Sequence, residues 1–420
     1  MRLPNRSDFP TTKRELQEDI VAGITVAIVA LPLAIGFGIT SGMSAAAGIS
    51  TAIIAGFIAA LFGGSRLQVS GPTGAMTVVL IPVIDKYGAK AIPALGVIAG
   101  FIVILMAIFR LGSLINRVPH FVIEGFTLGI AVIISLQQLP MALGIKKGSG
   151  ERTIPIAFHT LSNGWNLGIN KGALLTALIT LIFKFNFARI LKALKIKAYI
   201  PASFGALIFG TIFAKVFGLN VATIGQIPRS VAKITKPVFE NLPSLLWPAL
   251  MIALLAAIES LLSARVADSM AHIPKERRLE PDQELIGQGL ATAIASIFGG
   301  QPATGAIART SVNVRSHAHS RFAAMVHSLV LLFIILIAAP LFSHIPAAAI
   351  AGVLIGTSIR ILNPANLKEV LRTTKTDIAV FLITAISTIS IDLIWGIGIG
   401  LAAHFLLRIQ FNFPDKRKKP

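Results

Sequence analysis

Gly299-Gly300-Gln301-Pro302-Ala303-Thr304-Gly305-Ala306-Ile307-Ala308-Arg309-Thr310 places a single arginine inside an otherwise membrane-grade sequence, and the architecture follows from how this stretch is read. It has the signature of a helix start. Pro302 and the glycines end whatever helix precedes them, Thr304 can cap the next one, and Gly305 and Ala306 leave its first turn almost without side chains. A helix that begins inside a bilayer presents unpaired N–H donors and about half a positive charge to its surroundings, which is an anion site. Arg309 stands four residues after Gly305, on the face of the small residues and roughly 6 Å along the axis. A near copy lies far upstream: Phe62-Gly63-Gly64, then Val69-Ser70-Gly71-Pro72-Thr73-Gly74-Ala75-Met76. In both copies a Phe-Gly-Gly precedes a Thr-Gly-Ala, and two such half-helices aimed at one another make a central anion pocket.

Composition reaches the membrane class independently. Of 420 residues, 54% are hydrophobic and 13% charged, with a mean hydropathy of +0.79, against ~25% charged in an average soluble domain. There is no cysteine, so disulfides and thiolate metal sites do not arise. Neither a nucleophile–base pair nor a metal cluster is evident, and no cofactor is expected, which argues against an enzyme. The net charge of +20 does not indicate nucleic acid, because aromatic content is 7% and the basic residues lie between apolar runs, where topology explains them. The first apolar run, Ile20 to Ile39, has spanning length behind a polar start and lacks a clear small-residue cleavage site, so no cleavable leader is expected.

In chain order, Met1 to Asp19 reads as a polar, basic, amphipathic leading segment on the cytoplasmic surface. Ile20 to Ile39 and Ala45 to Phe62 are spans one and two. Span three is short, helical from about Thr73 to Ile84. Its crossing is completed by extended backbone, Leu67 to Ser70, which must be buried in protein because lipid cannot satisfy its polar groups. Ala91 to Phe109 and Phe121 to Leu139 are spans four and five. A polar loop, Gly144 to Lys171, separates them from span six, Gly172 to Phe187, which Lys184, Arg189, Lys192, Lys195 and Lys197 close on the cytoplasmic side. Span seven, Ala202 to Leu219, leads through a second polar connection, Asn220 to Leu245, to span eight, Leu246 to Ala264, where the pattern restarts. Span nine is Leu285 to Phe298, and the quoted half-helix is span ten. Spans eleven to fourteen are Phe322 to Phe342, Ala347 to Ile361, Ile378 to Ile391 and Leu393 to Leu407.

The fold class is therefore an all-α polytopic membrane protein with about fourteen transmembrane segments in a seven-plus-seven repeat and short extended segments before half-helices three and ten. Seven spans per half make the second half enter from the opposite side, so the repeat is inverted, as in many secondary transporters. With the N-terminus inside, most of the 38 Lys and Arg fall on cytoplasmic segments. Both termini come out cytoplasmic, in a multi-pass protein of the cell (inner or plasma) membrane.

Glu259 is the second chemical feature. It lies about 20 Å along span eight from Leu246, past the middle of a hydrocarbon layer ~30 Å thick. A carboxylate there is costly unless paired or protonated, which makes it a functional candidate. Ser263 one turn on and Ala256 one turn back give it a small, polar face toward the pocket. The plainer alternative is a structural ion pair between Glu259 and Arg309, which would leave the half-helix ends without an anion. Glu124 reads as a first-turn acid complementing the dipole of span five. His327 and His404 read as hydrogen-bonded packing residues, Asp392 as a helix cap, and the small residues Ser44 to Gly48 as a close-packing surface.

Three motifs carry a family resemblance: Gln68 to Met76, the segment Ala257 to Ala264 with Val266-Ala267-Asp268, and Pro302 to Arg315. Together they resemble the sulfate permease (SulP) family of anion transporters, in order from about Asp19 to Phe411. The resemblance implies an inverted repeat of the type shared with the nucleobase symporters. It implies a cytoplasmic segment 1–19, a mobile core of 20–112 and 246–343, a gate of 113–245 and 344–410, and a basic cytoplasmic tail 411–420. It further implies a homodimer, with the anion held between spans three and ten at Thr73, Gly74, Ala75, Thr304, Gly305, Ala306 and Arg309. Glu259, with Ser263 nearby, falls where the family carries its coupling acid.

Two departures accompany the match. Where many members have a glutamine after the proline of span one, this chain reads Leu31-Pro32-Leu33. Most members carry a STAS domain after the last span, and this chain ends about ten residues beyond it. The expected activity is secondary active transport of a small anion (sulfate, bicarbonate or a small dicarboxylate) by an elevator-like movement, with H+ as the co-transported ion. A related bicarbonate branch is expected to use sodium through an aspartate at the Glu259 position and to lack the arginine, so a Na+-coupled symporter is the alternative. A passive exchanger or channel of the same fold is the other.

Overall fold

Long apolar runs with polar caps decide the helices. Ser44 caps the second helix by accepting from the Ala47 N–H, Asn170 caps the sixth at Ala173, and Thr374 caps the thirteenth at Asp377. The computed structural model describes residues 4–115, 118–150, 152–195, 201–225, 234–239, 242–274, 278–361, 370, 372–391 and 393–410. Within them a helix stands at each expected span. They are α1 (Lys13–Thr40), α2 (Ala45–Phe62), α3 (Gly74–Tyr87), α4 (Ile92–Ile108), α5 (His120–Gln137), α6 (Lys171–Ala193) and α7 (Ala202–Val216). The second half repeats them as α8 (Leu242–Met270), α9 (Pro281–Ile297), α10 (Ile307–Arg315), α11 (Phe322–Phe342), α12 (Ala347–Ile361), α13 (Lys375–Ser390) and α14 (Leu393–Gln410). Two short strands, β1 (Ser70–Gly71) and β2 (Thr304–Gly305), precede α3 and α10. By length and composition, seven helices among the described residues can cross a bilayer alone, whereas α3, at 14 residues, and α10, at 9, cannot.

Packing repeats as well as sequence. Helix α4 lies against α9 as α11 lies against α2, and α4 meets α8 as α11 meets α1. The pairs α5–α13 and α6–α12 correspond in the same way, as do α13–α14 and α6–α7. Shifting every helix of a pair by seven spans, forward from the first half and back from the second, yields the matching pair, the contact signature of an inverted repeat. The contacts fall into two groups. Helices α1 to α4 and α8 to α11 pack mainly with one another, as do α5 to α7 and α12 to α14. They meet chiefly where α1 touches α7 and α12, α3 touches α5, and α8 touches α14.

Several expectations need correction. The leading segment does not end at Asp19: α1 begins at Lys13 under a reciprocal Thr12–Glu15 capping box. Asp19 is fully buried, accepting from the His319 and Ser320 N–H groups and the Ser320 hydroxyl just before α11. Nearby Arg321 donates to the Ala60, Leu61 and Gly63 carbonyls at the end of α2 and lies 3.5 Å from Asp8. The loop expected between Gly144 and Lys171 contains a helix, Thr153–Leu167. Ile154, Phe158, Leu161 and Trp165 form an exposed stripe on it at helical spacing, while Ala157, Thr160 and Gly164 pack inward. Polar residues on one face made that segment read as a loop. Glu124 sits in the second turn of α5, 3.9 Å from His120, not in the first. Lys184 does not join the surface basic cluster but is buried, donating to the Val353 carbonyl and the Thr357 hydroxyl of α12, both at 2.6 Å. His327 and His404 are buried among helices, as packing residues are. Asp392 and 411–420 lie outside the described residues.

The α4–α9 crossing is a close backbone-to-backbone seam. A Cβ at Gly100 would lie 2.4 Å from the Gly289 carbonyl oxygen, and one at Gly289 would lie 2.6 Å from that of Gly100. Gly100→Ala must therefore push two backbones apart, at an expected cost of about 1–3 kcal/mol. The check is the melting temperature of the detergent-solubilised protein, against Gly398→Ala, where an added Cβ meets nothing within 4 Å. A Gly100→Ala protein as stable as that control would contradict the crossing.

Candidate functional site

Each half-helix is preceded by chain that cannot be helical, because Pro72 and Pro302 interrupt it. These extended pieces satisfy one another. Strands β1 and β2 pair antiparallel, Ser70 opposite Gly305 and Gly71 opposite Thr304, and the Ala306 N–H donates to the Val69 carbonyl at 3.0 Å. Side chains complete the pairing: the Val69 N–H donates to the Thr310 hydroxyl at 3.0 Å, and the Asn313 amide donates to the Leu67 carbonyl at 2.8 Å. The extended backbone is thus buried in protein, as a bilayer location requires.

The helix starts differ from the sequence expectation. Helix α10 begins at Ile307, so Thr304 does not cap it; Thr304 and Gly305 are strand and Ala306 is the N-cap residue. The Gly305 N–H is taken by the Ser260 hydroxyl at 2.9 Å and that of Ala306 by Val69. The open donors at this end are therefore those of the first turn, Ile307 to Arg309. At α3, Thr73 is the N-cap residue without a side-chain capping bond. Gly74 and Ala75 open its first turn, where Gly74 packs on Phe37 and on Ile134 of α5. The space beside Gly305 is likewise filled, by the Gln68 side chain and Ser260.

Both threonine hydroxyls are used elsewhere. Thr73 Oγ1 donates to Glu259 Oε2 at 3.1 Å, and Thr304 Oγ1 donates to the same oxygen at 2.8 Å. One carboxylate oxygen on α8 thus ties together the starts of the two half-helices. Arg309 is almost completely buried, at 1% exposure, and its Nη2 donates to the Pro72 carbonyl at 2.8 Å. Its Nη1 is buried without a hydrogen-bond partner. Among the described residues no ion pair joins Glu259 to Arg309, although their partners Thr73 and Pro72 are neighbours in the chain. Gly71 makes room for the guanidinium: its φ is 154°, and a Cβ there would lie 2.4 Å from Nη1.

Ser263 is close in sequence but its hydroxyl is directed elsewhere, donating to Thr310 Oγ1 at 2.9 Å and fastening α8 to α10. Sequence reasoning gave no role to Ser260, Thr310 or Gln68, although all three lie within the quoted motifs. It also missed Glu284, which precedes the expected start of span nine by one residue. This buried acid on α9 accepts from the Gly64 and Ser65 N–H groups at 2.9 Å each. Gln288 Nε2 donates both to Glu284 Oε1, at 2.9 Å, and to Ser70 Oγ on β1, at 2.5 Å. In the other half, the Gln301 N–H donates to Thr51 Oγ1 at 2.7 Å, and Ser41 Oγ donates to Gln301 Oε1 at 2.7 Å. The signal for Glu284 was an acid in the first turn of an apolar run, three residues after Pro281.

The pattern of the sulfate permease family matches residues 16–384, a range containing both half-helices. The chain is 36% identical to YvdB of Bacillus subtilis (strain 168), a protein named as a candidate sulfate transporter, over 94% of this chain and 74% of that one. It is 33% identical to the bicarbonate transporter BicA of Picosynechococcus sp., over 98% of this chain and 72% of that one. The solved transmembrane domain of a cyanobacterial BicA superposes with a TM-score of 0.82 at 31% identity, covering 92% of this chain and 98% of that domain. Murine solute carrier 26 family member A9, an anion transporter solved in the inward-facing state, shares the fold with a TM-score of 0.82 at 16% identity, over 96% of this chain and 69% of that one. With its paired half-helices, its inverted repeat and a family match through nearly its whole length, the chain is a multi-pass membrane protein that belongs to the sulfate permease family.

Proposed function

We propose that the chain is a secondary active transporter of a small anion, sulfate, bicarbonate or a small dicarboxylate, coupled to protons. The anion binds at the first turns of α3 and α10 beside Arg309. The core, 20–112 and 246–343, carries it past the gate, 113–245 and 344–410, by an elevator-like shift within a homodimer in the cell membrane. Support for that division comes from the two packing groups, whose mutual contacts are few beside those within each group. The free first-turn N–H groups and the unpartnered Arg309 Nη1 supply donors and positive charge.

The observation that carries the coupling is the shared oxygen of Glu259. Because Oε2 receives the hydroxyls of both Thr73 and Thr304, the acid is part of the pocket's own framework. A bound anion and an ionised Glu259 repel each other across that small space. A proton on the carboxyl removes the repulsion and lowers the charge that the core must carry through the bilayer. Sodium-coupled bicarbonate symport is the second reading, favoured by the 33% identity to a relative named as a bicarbonate transporter.

Uptake of labelled sulfate and bicarbonate into proteoliposomes, with pH and sodium gradients imposed separately, tests the proposal. Accumulation is expected with the outside acidic, since an inward proton gradient then drives it. Uptake that follows sodium and ignores pH supports the second reading, and uptake indifferent to both gradients refutes coupling. Glu259→Gln, a permanent mimic of the protonated acid, should still exchange anion but lose proton-driven accumulation. Arg309→Ala should weaken anion binding by about 1.5–3 kcal/mol, the worth of a charge-assisted hydrogen bond. Gly71→Ala should reproduce part of that loss by displacing the guanidinium. Isothermal titration reads both variants, and unchanged affinity in a folded Arg309→Ala protein would remove the arginine from the site.

A further inference from the structure

Between Glu151 and Glu240 the sequence carries eleven Lys and Arg and no Asp or Glu. Between Glu284 and Glu369 it again has no acid. The two acid-free stretches meet where α6 packs on α12. Lys184 lies inside that seam with its amine turned to the Val353 carbonyl and the Thr357 hydroxyl. At the next residue, Phe185, the Arg360 guanidinium of α12 stands over the aromatic ring at 5.9 Å. Arg189 follows Phe185 by four residues and so rises from the same face of α6; it donates to the Asn186 side chain at a long 3.4 Å. Among the described residues neither arginine is in an ion pair. Beside them the surface turns apolar, with Ile182, Phe185 and Ile359 exposed at 57%, 42% and 42%.

We propose that Arg189 and Arg360 grip the phosphate of an anionic phospholipid at the end of the α6–α12 seam, with Phe185 as their shared floor. Two guanidinium groups without a protein acid call for an anion with several acceptor oxygens. Exposed apolar side chains directly beside the charges fit a phosphodiester with an acyl chain attached and are poorly matched by a free hydrated ion. On the topology proposed above this is the cytoplasmic leaflet. The phosphate site itself does not depend on the transport reading.

The test uses the full chain in nanodiscs of phosphatidylcholine with a minor share of phosphatidylglycerol. Lipids retained after detergent extraction are counted by native mass spectrometry for the wild type, for Arg189→Gln/Arg360→Gln, and for Lys215→Gln as a basic-residue control. Wild type and control should hold phosphatidylglycerol over phosphatidylcholine, and the double variant should lose roughly thirtyfold of that preference. Arg189→Lys/Arg360→Lys should keep part of it and shows that the seam has folded. Equal preference in the double variant overturns the proposal. So does displacement of the lipid by millimolar inorganic phosphate, which would identify a soluble anion as the ligand. Because retention is read without any transport, a failure here is separate from a failure of the transport proposal.

Discussion

Extended backbone cannot lie in hydrocarbon unless each of its polar groups finds a partner in the protein, and the rest of this structure depends on how that is achieved at β1 and β2. Two residues of each strand pair across the middle of the molecule, and the groups that pairing leaves over are met by Thr310, Asn313 and Ser260. Every one of those side chains is on α8 or α10. Both helices belong to the second half, so β1 cannot be completed within the first half, while the Ala306 N–H that follows β2 is met by the Val69 carbonyl of the first. The inverted repeat is an obligate partnership for this reason, beyond being a symmetric shape.

The same constraint sets the electrostatics. A carboxylate and a guanidinium buried near one another usually neutralise each other directly. Here the acid is held by the hydroxyls of Thr73 and Thr304 and the base by the carbonyl of Pro72, next in the chain to Thr73. Neither charge is cancelled by the other, and the guanidinium retains a donor without a protein acceptor. Glu284 performs a comparable task with both of its oxygens paired, closing the backbone break after α2 and reaching β1 through Gln288.

Much of this was legible in the sequence, and the residues show why. The limits of α2, α11 and α12 coincide with their apolar runs, because Ser44 and Gly63 bound the first, Arg321 and Ser343 the second, and Pro346 precedes the third. Arg309 and Glu259 announced themselves as charges in apolar surroundings. The extended approach to α3 was forced by its shortness. Partners far apart in the chain were beyond reach: nothing local ties Thr73 to Glu259, Gly71 to Arg309 or Gly305 to Gln68. Thr304 misled, because threonine before Gly-Ala is a good capping residue and only its tertiary partner diverts it. The helix at Thr153–Leu167 was hidden for the opposite reason, since its apolar stripe is too narrow to raise the mean hydropathy of its window.

The glycine-to-glycine crossing of α4 and α9 bears on stiffness. Where side chains interlock, a seam can adapt by changing rotamers, and forming it freezes those rotamers at an entropic cost. At Gly100 and Gly289 there are none to freeze or to change. Helix association there forfeits almost no side-chain freedom, which favours it in a lipid solvent that offers no hydrophobic drive. It also sets the main chain of the first half directly against that of the second, so at this point the two halves touch through groups whose spacing no rotamer can adjust.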